Sequence, residues 1–358
     1  MPTNLTRAFR GQRVFLAGHT GFKGSWLTLM LASLGAEVRG YSLEPPSSPS
    51  LFELARVEND AAWIKQDIRD QAALGRAVAE HDPHLVIHMA AQALVRPSYQ
   101  DPLGTLSTNV MGTANLLQAC RNAPSLRGVI VVTSDKCYLN RGWVHGYRET
   151  DPLGGHDPYS ASKACAEIVA SSFAASFFQP KSGAALIASV RSGNVIGGGD
   201  FATDRLVPDL MRAFAASAPA LIRHPGGIRP WLHVLDSLHG YLTLAAALCR
   251  GRKNLAGAWN FAPTDDQVWT VGSLADRMAA SWGQGAAWRK QEGVAHPHEA
   301  LALRLDPSKA RMLLGWRPRL PMREALDWTV RWYKAWQCRP DSLRQETLAQ
   351  IDAFRRLS

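Results

Sequence analysis

Along this chain, short unbroken apolar runs alternate with longer stretches in which apolar residues recur every three or four positions. The first run is Val14-Phe15-Leu16-Ala17, and Trp26, Leu27, Leu29, Met30, Leu31 and Leu34 follow at helical spacing. An unbroken apolar run marks a strand buried on both faces, and the wider recurrence marks a helix with one buried side. The succession then repeats. Strands are expected at 37–42, 62–66, 85–89, 129–133 and 185–190, and helices at 70–81, 105–121 and 159–178. Strands separated by helices at this rhythm need right-handed crossovers, which gives an α/β fold with a doubly wound parallel sheet. The polar leader MPTNLTRAFRGQR is expected to run straight into the first strand.

Past Val195 the pattern loosens. Helices are expected at 201–216, 233–249, 271–282, 307–314, 322–336 and 341–356, with a short strand at 259–261. Nine of the 12 tryptophans lie at or beyond Trp231, so this part buries large aromatics in a body of different construction. Gly197-Gly198-Gly199 and Gly226-Gly227 mark turns where the chain passes between the two bodies. No internal repeat or low-complexity segment interrupts them.

Between the first strand and the first helix stand Gly18, Gly21 and Gly24. Glycines there let backbone N–H groups approach an anion, and the helix N-terminus adds partial positive charge. The spacing is G-x-x-G-x-x-G rather than the G-x-G-x-x-G of the standard dinucleotide fingerprint. An ordinary strand–helix turn is the alternative at this point. An NAD-binding fold carries an acid at the end of its second strand. Here that place falls near Ser42, with Glu44 two residues on, and Arg39 on the same strand leaves NADP open beside the expected NAD. Ala90 and Ala91, at the tip of the fourth strand, are small enough for a cofactor to lie against, or for a buried turn.

Composition narrows the classes. The net charge is +10, but the arginines are scattered and no nucleic-acid-binding motif appears, so the cations are read as serving an anionic small substrate rather than nucleic acid. Apolar runs stay far short of the roughly 20 residues of a membrane span. The five cysteines are scattered without a C-x-x-C, and the leader lacks the apolar core of a signal peptide. Reduced thiols in the cytoplasm are expected. None of the 11 histidines belongs to a pattern with metal-ligand spacing, so no metal is expected and His88 is read as core.

Tyr159 and Lys163 stand four residues apart on a helix that Asp157 can cap and Pro158 can start. That spacing sets phenol and ammonium on one face. A tyrosine loses its proton near pH ~10 when free, and a neighbouring cation favours the phenolate. Such a phenolate can take a proton from a sugar hydroxyl as hydride leaves the same carbon. Thr133-Ser134-Asp135-Lys136-Cys137-Tyr138 lies at the C-terminal tip of the fifth strand, where open α/β sheets bind ligands. Ser134 offers a hydrogen bond, Asp135 an acid, and Lys136 a base or a cation. Each alone is also a common turn residue.

The segments HTGFKGSWL, TSDKCY, GYRETDPLGGHDPYSASKACAE and RPWLHVLD resemble the CDP-glucose 4,6-dehydratases of the extended short-chain dehydrogenase/reductase superfamily. The similarity runs from about residue 11 to about residue 336. It implies a Rossmann-like NAD-binding body over 1–193, rejoined by 230–262. A smaller mixed substrate-binding body then spans 194–229 and 263–358. It implies NAD as cofactor, CDP-glucose as substrate, oxidation at C4, loss of water across C5 and C6, and hydride return to C6 in a deoxysugar branch such as that of lipopolysaccharide O-antigen. By resemblance the cofactor set takes in Gly18, Thr20, Gly21, Phe22, Lys23, Gly24, Ser42, Asp67, Ile68, Ala90, Ala91, Asn109, Thr133, Tyr159 and Lys163. Asp67 equally suits a helix N-cap. The catalytic set is Ser134, Asp135, Lys136, Tyr159 and Lys163. Asn194, Arg205, Arg229 and Arg304 are implied at the substrate, since a guanidinium matches two phosphate oxygens. In the sister dTDP-glucose enzymes the strand-five loop reads Thr-Asp-Glu, with Asp the acid for the C6 oxygen and Glu the C5 base. Lys136 in place of Glu leaves base and enolate-stabilising cation both open. A homodimer through the helices at 105–121 and 159–178 is expected by analogy. The rival readings are a nucleotide-sugar 4-epimerase, a non-catalytic dinucleotide-binding regulator and a basic RNA-binding protein.

Overall fold

Seven of the short runs pair in one all-parallel sheet. They are β1 (Arg13–Ala17), β2 (Glu37–Ser42), β3 (Ala62–Lys65), β4 (Leu85–His88), β5 (Gly128–Val132), β6 (Leu186–Ser192) and β7 (Gly257–Phe261), in the spatial order β7-β6-β5-β4-β1-β2-β3. The computed structural model describes residues 4–178, 184–263, 269–292 and 302–357. Phe15, Leu16, Val86 and Ile87 are fully buried, which is why the central strands show no polar alternation. Strand order reverses between β1 and β4, where Ala17 pairs with His88 on one side and Tyr41 on the other. That reversal opens a crevice at the C-terminal strand tips, the place where such sheets hold ligands.

The leader departs from expectation. Asn4–Phe9 is a short helix, because Phe9 and Leu5 sit one turn apart and pack against the main core. The helix expected at 105–121 is three pieces: Pro102–Leu106, a π-helical turn at Ser107–Met111, and Gly112–Cys120. A side chain on Gly112 would meet Ile68 at 2.7 Å, so glycine lets the last piece lie against the segment after β3. The helix expected at 201–216 is Leu206–Ala215, because Asp204 sits at a φ of 60° that no right-handed helix accepts. Pro158–Phe177 forms as read. Asp157 caps it by accepting from the Ser160 N–H at 2.9 Å, and Pro158 fills its first turn.

The remaining helices include Val271–Trp282, Met322–Cys338 and Leu343–Arg356, joined by two ladders too short to show in the pattern. Val195–Ile196 pairs with Leu232–His233, and Ala220–Ile222 with Trp288–Lys290. Trp231, Trp259, Trp282, Trp316 and Trp332 are buried, Trp259 on β7 of the sheet itself. Phe201 packs edge-on to Trp336 at 5.0 Å, and Phe261 of β7 packs edge-on to Trp316 at 5.0 Å. One continuous core therefore holds β1 and β6 together with the C-terminal helices.

Candidate active site

At the tip of β1 the backbone of Gly18 turns at a φ of 87°, and a Cβ there would stand 2.4 Å from the Ala90 nitrogen. A Cβ on Gly24 would stand 2.1 Å from the Gly18 oxygen. These two glycines are required by packing alone. Gly21 differs: nothing lies nearer than 3.6 Å to its Cβ position, and it caps the helix Phe22–Ser33 without a side-chain hydrogen bond. The first N–H groups of that helix therefore have no side-chain acceptor, in a cradle floored by glycine. The arrangement fits the pyrophosphate of a dinucleotide.

Around the cradle the other expected cofactor residues divide. Thr20 donates to Ser42 Oγ at 3.1 Å and to the Leu43 carbonyl at 3.0 Å. Ser42 also meets His19 Nδ1 at 2.8 Å, so its hydroxyl is engaged within the protein. Burial lowers His19 to about 4 and keeps it neutral. Arg39 acts on His81 of the helix Gln71–His81. Glu44 pairs with Lys65 on the surface. Asp67 is not the helix cap; Asp70 is, accepting from Ala73 N–H at 2.9 Å. Asp67 instead pairs with Arg69, which holds its carboxyl below the usual range. Ile68 is buried against Gly112. Asn109, on the π-helical turn, spends both amide hydrogens on the Gln92 carbonyl and Ser162 Oγ, and its oxygen accepts from the Gln92 N–H. It thereby ties the segment after Ala90 and Ala91 to the helix of Tyr159. Lys23 donates to Tyr241 at 2.8 Å.

The strand-five loop folds over the helix of Tyr159. Ser134 caps a single 3-10 turn, Asp135–Cys137, and donates to Asp135 Oδ1 at 2.9 Å. Asp135 is fully buried; Lys136 Nζ lies 3.7 Å from Oδ1, and Oδ2 has no partner. Burial raises the Tyr159 phenol above its ordinary value, while Lys136, Ser134 and Arg205 pull it back down. The cation that acts most on the phenol is thus Lys136 rather than the expected Lys163. Lys163 donates to the Val132 carbonyl at 3.3 Å, and its burial, helped by Lys23, lowers it to about 8. His88 is core as read, held to Thr113 at 3.0 Å and lowered to about 3 by burial.

Among the expected substrate groups, Arg205 is the one whose charge acts on Tyr159. It pairs with Asp200 at 3.1 Å. Asn194 follows β6, and its side-chain oxygen is buried without a partner. Arg229 donates to its neighbour's carbonyl at Ile228. Arg304 lies beside Leu305, which bridges to Tyr147 of the segment that leads into the helix Pro158–Phe177. No group of three or more histidine, cysteine, aspartate or glutamate side chains suited to a metal occurs among the described residues.

Residues 15–329 match the family model of GDP-mannose 4,6 dehydratase. The chain belongs to that family. It is 51% identical over 332 residues to a CDP-glucose 4,6-dehydratase of Salmonella typhimurium, with 92% of each chain covered. It is 27% identical to a dTDP-glucose 4,6-dehydratase of Xanthomonas campestris pv. campestris, over 89% of this chain and 92% of that one. Among solved structures, a UDP-glucose 4-epimerase of Thermus thermophilus in complex with NAD superposes with a TM-score of 0.76 at 26% identity, covering 90% of this chain and 99% of the other. A dTDP-glucose 4,6-dehydratase of Streptomyces venezuelae with NAD bound gives 0.74 at 24%, over 90% and 97%. Membership of the extended short-chain dehydrogenase/reductase superfamily follows.

Beneath the loop of this 4,6-dehydratase-family chain lies one charged group that is not among the expected site residues. Glu167 and Arg191 form a buried ion pair at 2.8 Å. The signal was present: Glu167 follows Lys163 by one helical turn, and Arg191 is the lone charge in an otherwise neutral buried strand. Ionisable residues are seldom buried in such places unless paired.

Proposed function

We propose that this chain dehydrates CDP-glucose to CDP-4-dehydro-6-deoxyglucose, with NAD held at the glycine cradle. Bound there, NAD would supply the acceptor for hydride from C4 and its donor to C6. Gly21, Phe22 and Lys23, at the open N-terminus of their helix, are the residues to hold it. Tyr159 takes the proton of the C4 hydroxyl, with the charges of Lys136 and Arg205 favouring its phenolate. The resulting 4-ketone acidifies the C5 proton. Asp135 then protonates the departing C6 oxygen through Oδ2, the carboxyl oxygen with no other partner. The C5 proton passes to solvent water, which returns one to C5 as hydride reaches C6, and Lys136, already paired with Asp135, serves as the cation beside the enolate. Arg205, Asn194, Arg229 and Arg304 receive the nucleotide pyrophosphate and its base.

The observation that carries this reading over a 4-epimerase is Asp135, a buried acid beside Ser134 whose charge bears on the phenol. An epimerase needs no acid to expel water. Incubation with CDP-glucose separates the two: a dehydratase develops the base-labile absorbance of a 4-keto sugar, and an epimerase yields an isomer. The cytidine preference rests on the Salmonella relative, and a panel of CDP-, dTDP-, GDP- and UDP-glucose tests it.

The same proposal takes the protein as a cytoplasmic homodimer whose sheet body, 1–193 with 230–262, binds cofactor, while 194–229 and 263–358 bind substrate. Supporting the dimer, Leu103, Met111, Ile168 and Phe177 are exposed on the helices flanking one side of the sheet. Supporting the compartment, all five cysteines are free thiols, and no helix among the described residues is long and apolar enough to cross a membrane.

A further inference from the structure

The loop that carries Ser134, Asp135 and Lys136 has no regular structure beyond its single 3-10 turn, yet it must hold an acid and an ammonium against one phenol. Its two flanks are both tied to the same pair of charges. On the near side, Thr133 donates its hydroxyl to Glu167 Oε1. On the far side, Arg191 Nη1 donates to the Tyr138 hydroxyl at 2.6 Å, and its guanidinium lies 4.8 Å from that ring.

Glu167 and Arg191 are each about 3% exposed and joined by two parallel bonds, Nε to Oε1 and Nη2 to Oε2, both 2.8 Å. With Thr133, Ser189 brings the donors on that carboxylate to four, its own bond being 2.6 Å. The network continues outward. Arg191 Nη1 also donates to the Glu149 carbonyl at 3.2 Å, Tyr138 donates to Asn260 Oδ1 at 2.8 Å, and Asn260 N–H donates to the Glu149 carboxylate at 2.9 Å. Strands β5, β6 and β7, the catalytic helix and the segment leading into it thus meet at one pair.

A buried ion pair is weak evidence for stability, since apolar residues of similar volume often serve as well or better. What this pair supplies that an apolar pair cannot is direction: every bond in it has one length and one angle. We propose that Glu167 and Arg191 are positioning residues for the dehydration, holding the Ser134–Lys136 loop in register with Tyr159 and Lys163. The proposal rests on the dehydratase reading above. A misplacement of about 1 Å at a reacting group costs on the order of 10²-fold in rate, so a loosened clamp acts on turnover while substrate contacts stay intact.

The pair also has an electrostatic consequence. The groups acting on Lys163 are Lys23 from the cradle helix, Glu167 from its own helix and Cys137 from the loop, with His88 of β4 in the same field. Of these, Glu167 and Cys137 would each favour the protonated ammonium, but burial holds Cys137 as the neutral thiol, which leaves Glu167 as the anion that acts. Removing its charge therefore moves deprotonation of Lys163 to lower pH.

The test uses the full-length protein with NAD and CDP-glucose, and two variants: Glu167→Gln, and the double variant Glu167→Leu/Arg191→Met, which leaves no lone buried charge. Wild-type turnover in the same assay tests the dehydratase reading by itself; only the ratio of variant to wild type tests the pair. The double variant leaves the Thr133 and Ser189 hydroxyls without their acceptor but strands no charge, so it is expected to fold with a thermal midpoint several degrees below wild type, with kcat down on the order of 10²-fold, KM within about twofold, and the alkaline limb of the rate profile moved down by about half a pH unit or more. Glu167→Gln, where it folds, should show the same limb shift. A folded double variant with kcat within about threefold of wild type, a loss confined to KM, or an unmoved alkaline limb would overturn the proposal. Failure of both variants to fold would also overturn it, by making the pair a requirement of the fold.

Discussion

The ammonium of Lys136 stands 3.7 Å from Oδ1 of Asp135, and the other oxygen of that carboxyl is enclosed without a partner. Acid and cation are therefore adjacent, and they can act at different atoms of the sugar. Asp135→Asn keeps the volume and removes the transferable proton. It is expected to lower overall turnover by 10²–10⁴-fold, the usual contribution of a general acid, while exchange of the C5 proton with deuterated solvent continues. Turnover close to wild type, measured as 4-keto sugar formed, would take Asp135 out of this role.

Lys163 gives the pH dependence. Its proton is held with a pKa of about 8, because burial disfavours the charged form. As pH rises through that value the ammonium is lost, so kcat should fall on the alkaline side from about pH 8. Lys163→Arg retains a charge that does not titrate in this range. Its activity is expected to be lower, since a guanidinium is larger, but without the alkaline fall near pH ~8; a limb in the same place would assign the titration to another group.

The three glycines of the cradle should separate cleanly. Gly18→Ala places a Cβ 2.4 Å from the Ala90 nitrogen at a φ of 87°, and Gly24→Ala places one 2.1 Å from the Gly18 oxygen. The positive φ alone costs on the order of 1–3 kcal/mol, and the overlap adds to it. Both variants should lose several degrees of thermal midpoint. Gly21→Ala meets nothing within 3.6 Å and should cost at most about 1 kcal/mol, yet weaken NAD binding by titration calorimetry on the order of tenfold.

How much of this was legible beforehand follows from the range of each interaction. The strands β1, β4 and β5 could be read because burial on both faces leaves each run apolar but for Arg13 at the start of β1 and the buried His88 at the end of β4. Tyr159 and Lys163 could be read because one helical turn fixes their relation locally. The π-helical turn at Ser107–Met111 could not be: one extra residue per turn leaves the apolar spacing on either side nearly unchanged. Two-residue ladders such as Val195–Ile196 carry no period at all. The influence of Lys136 on Tyr159, and the pairing of Glu167 with an arginine on another element, are products of tertiary packing that no local rule encodes.

Asp236 offers a second titration, this one of stability. It sits in the first turn of the helix Val234–Cys249, accepts from the Arg319 N–H at 2.6 Å and the Leu320 N–H at 3.3 Å, and is raised to about 7 by burial. A carboxyl with a raised folded-state pKa holds its proton more tightly when folded. Its contribution is fully present below about pH 4 and lost as pH rises through about 7. Thermal midpoints should fall by a few degrees across that window. Asp236→Asn should flatten the fall; an unchanged slope would mean that the carboxyl does not titrate there.

The chain leaves the sheet after Ser192 and comes back only at Gly257, to lay β7 beside β6. The intervening excursion is therefore spliced between two neighbouring strands of the sheet rather than appended after it. A fragment cut before Gly257 would strip away a neighbour of β6, a strand buried along its whole length, and expose a sticky apolar margin. Expression of the N-terminal portion by itself should yield aggregates, whereas loops inside the excursion can be exchanged between relatives without disturbing the register of the sheet.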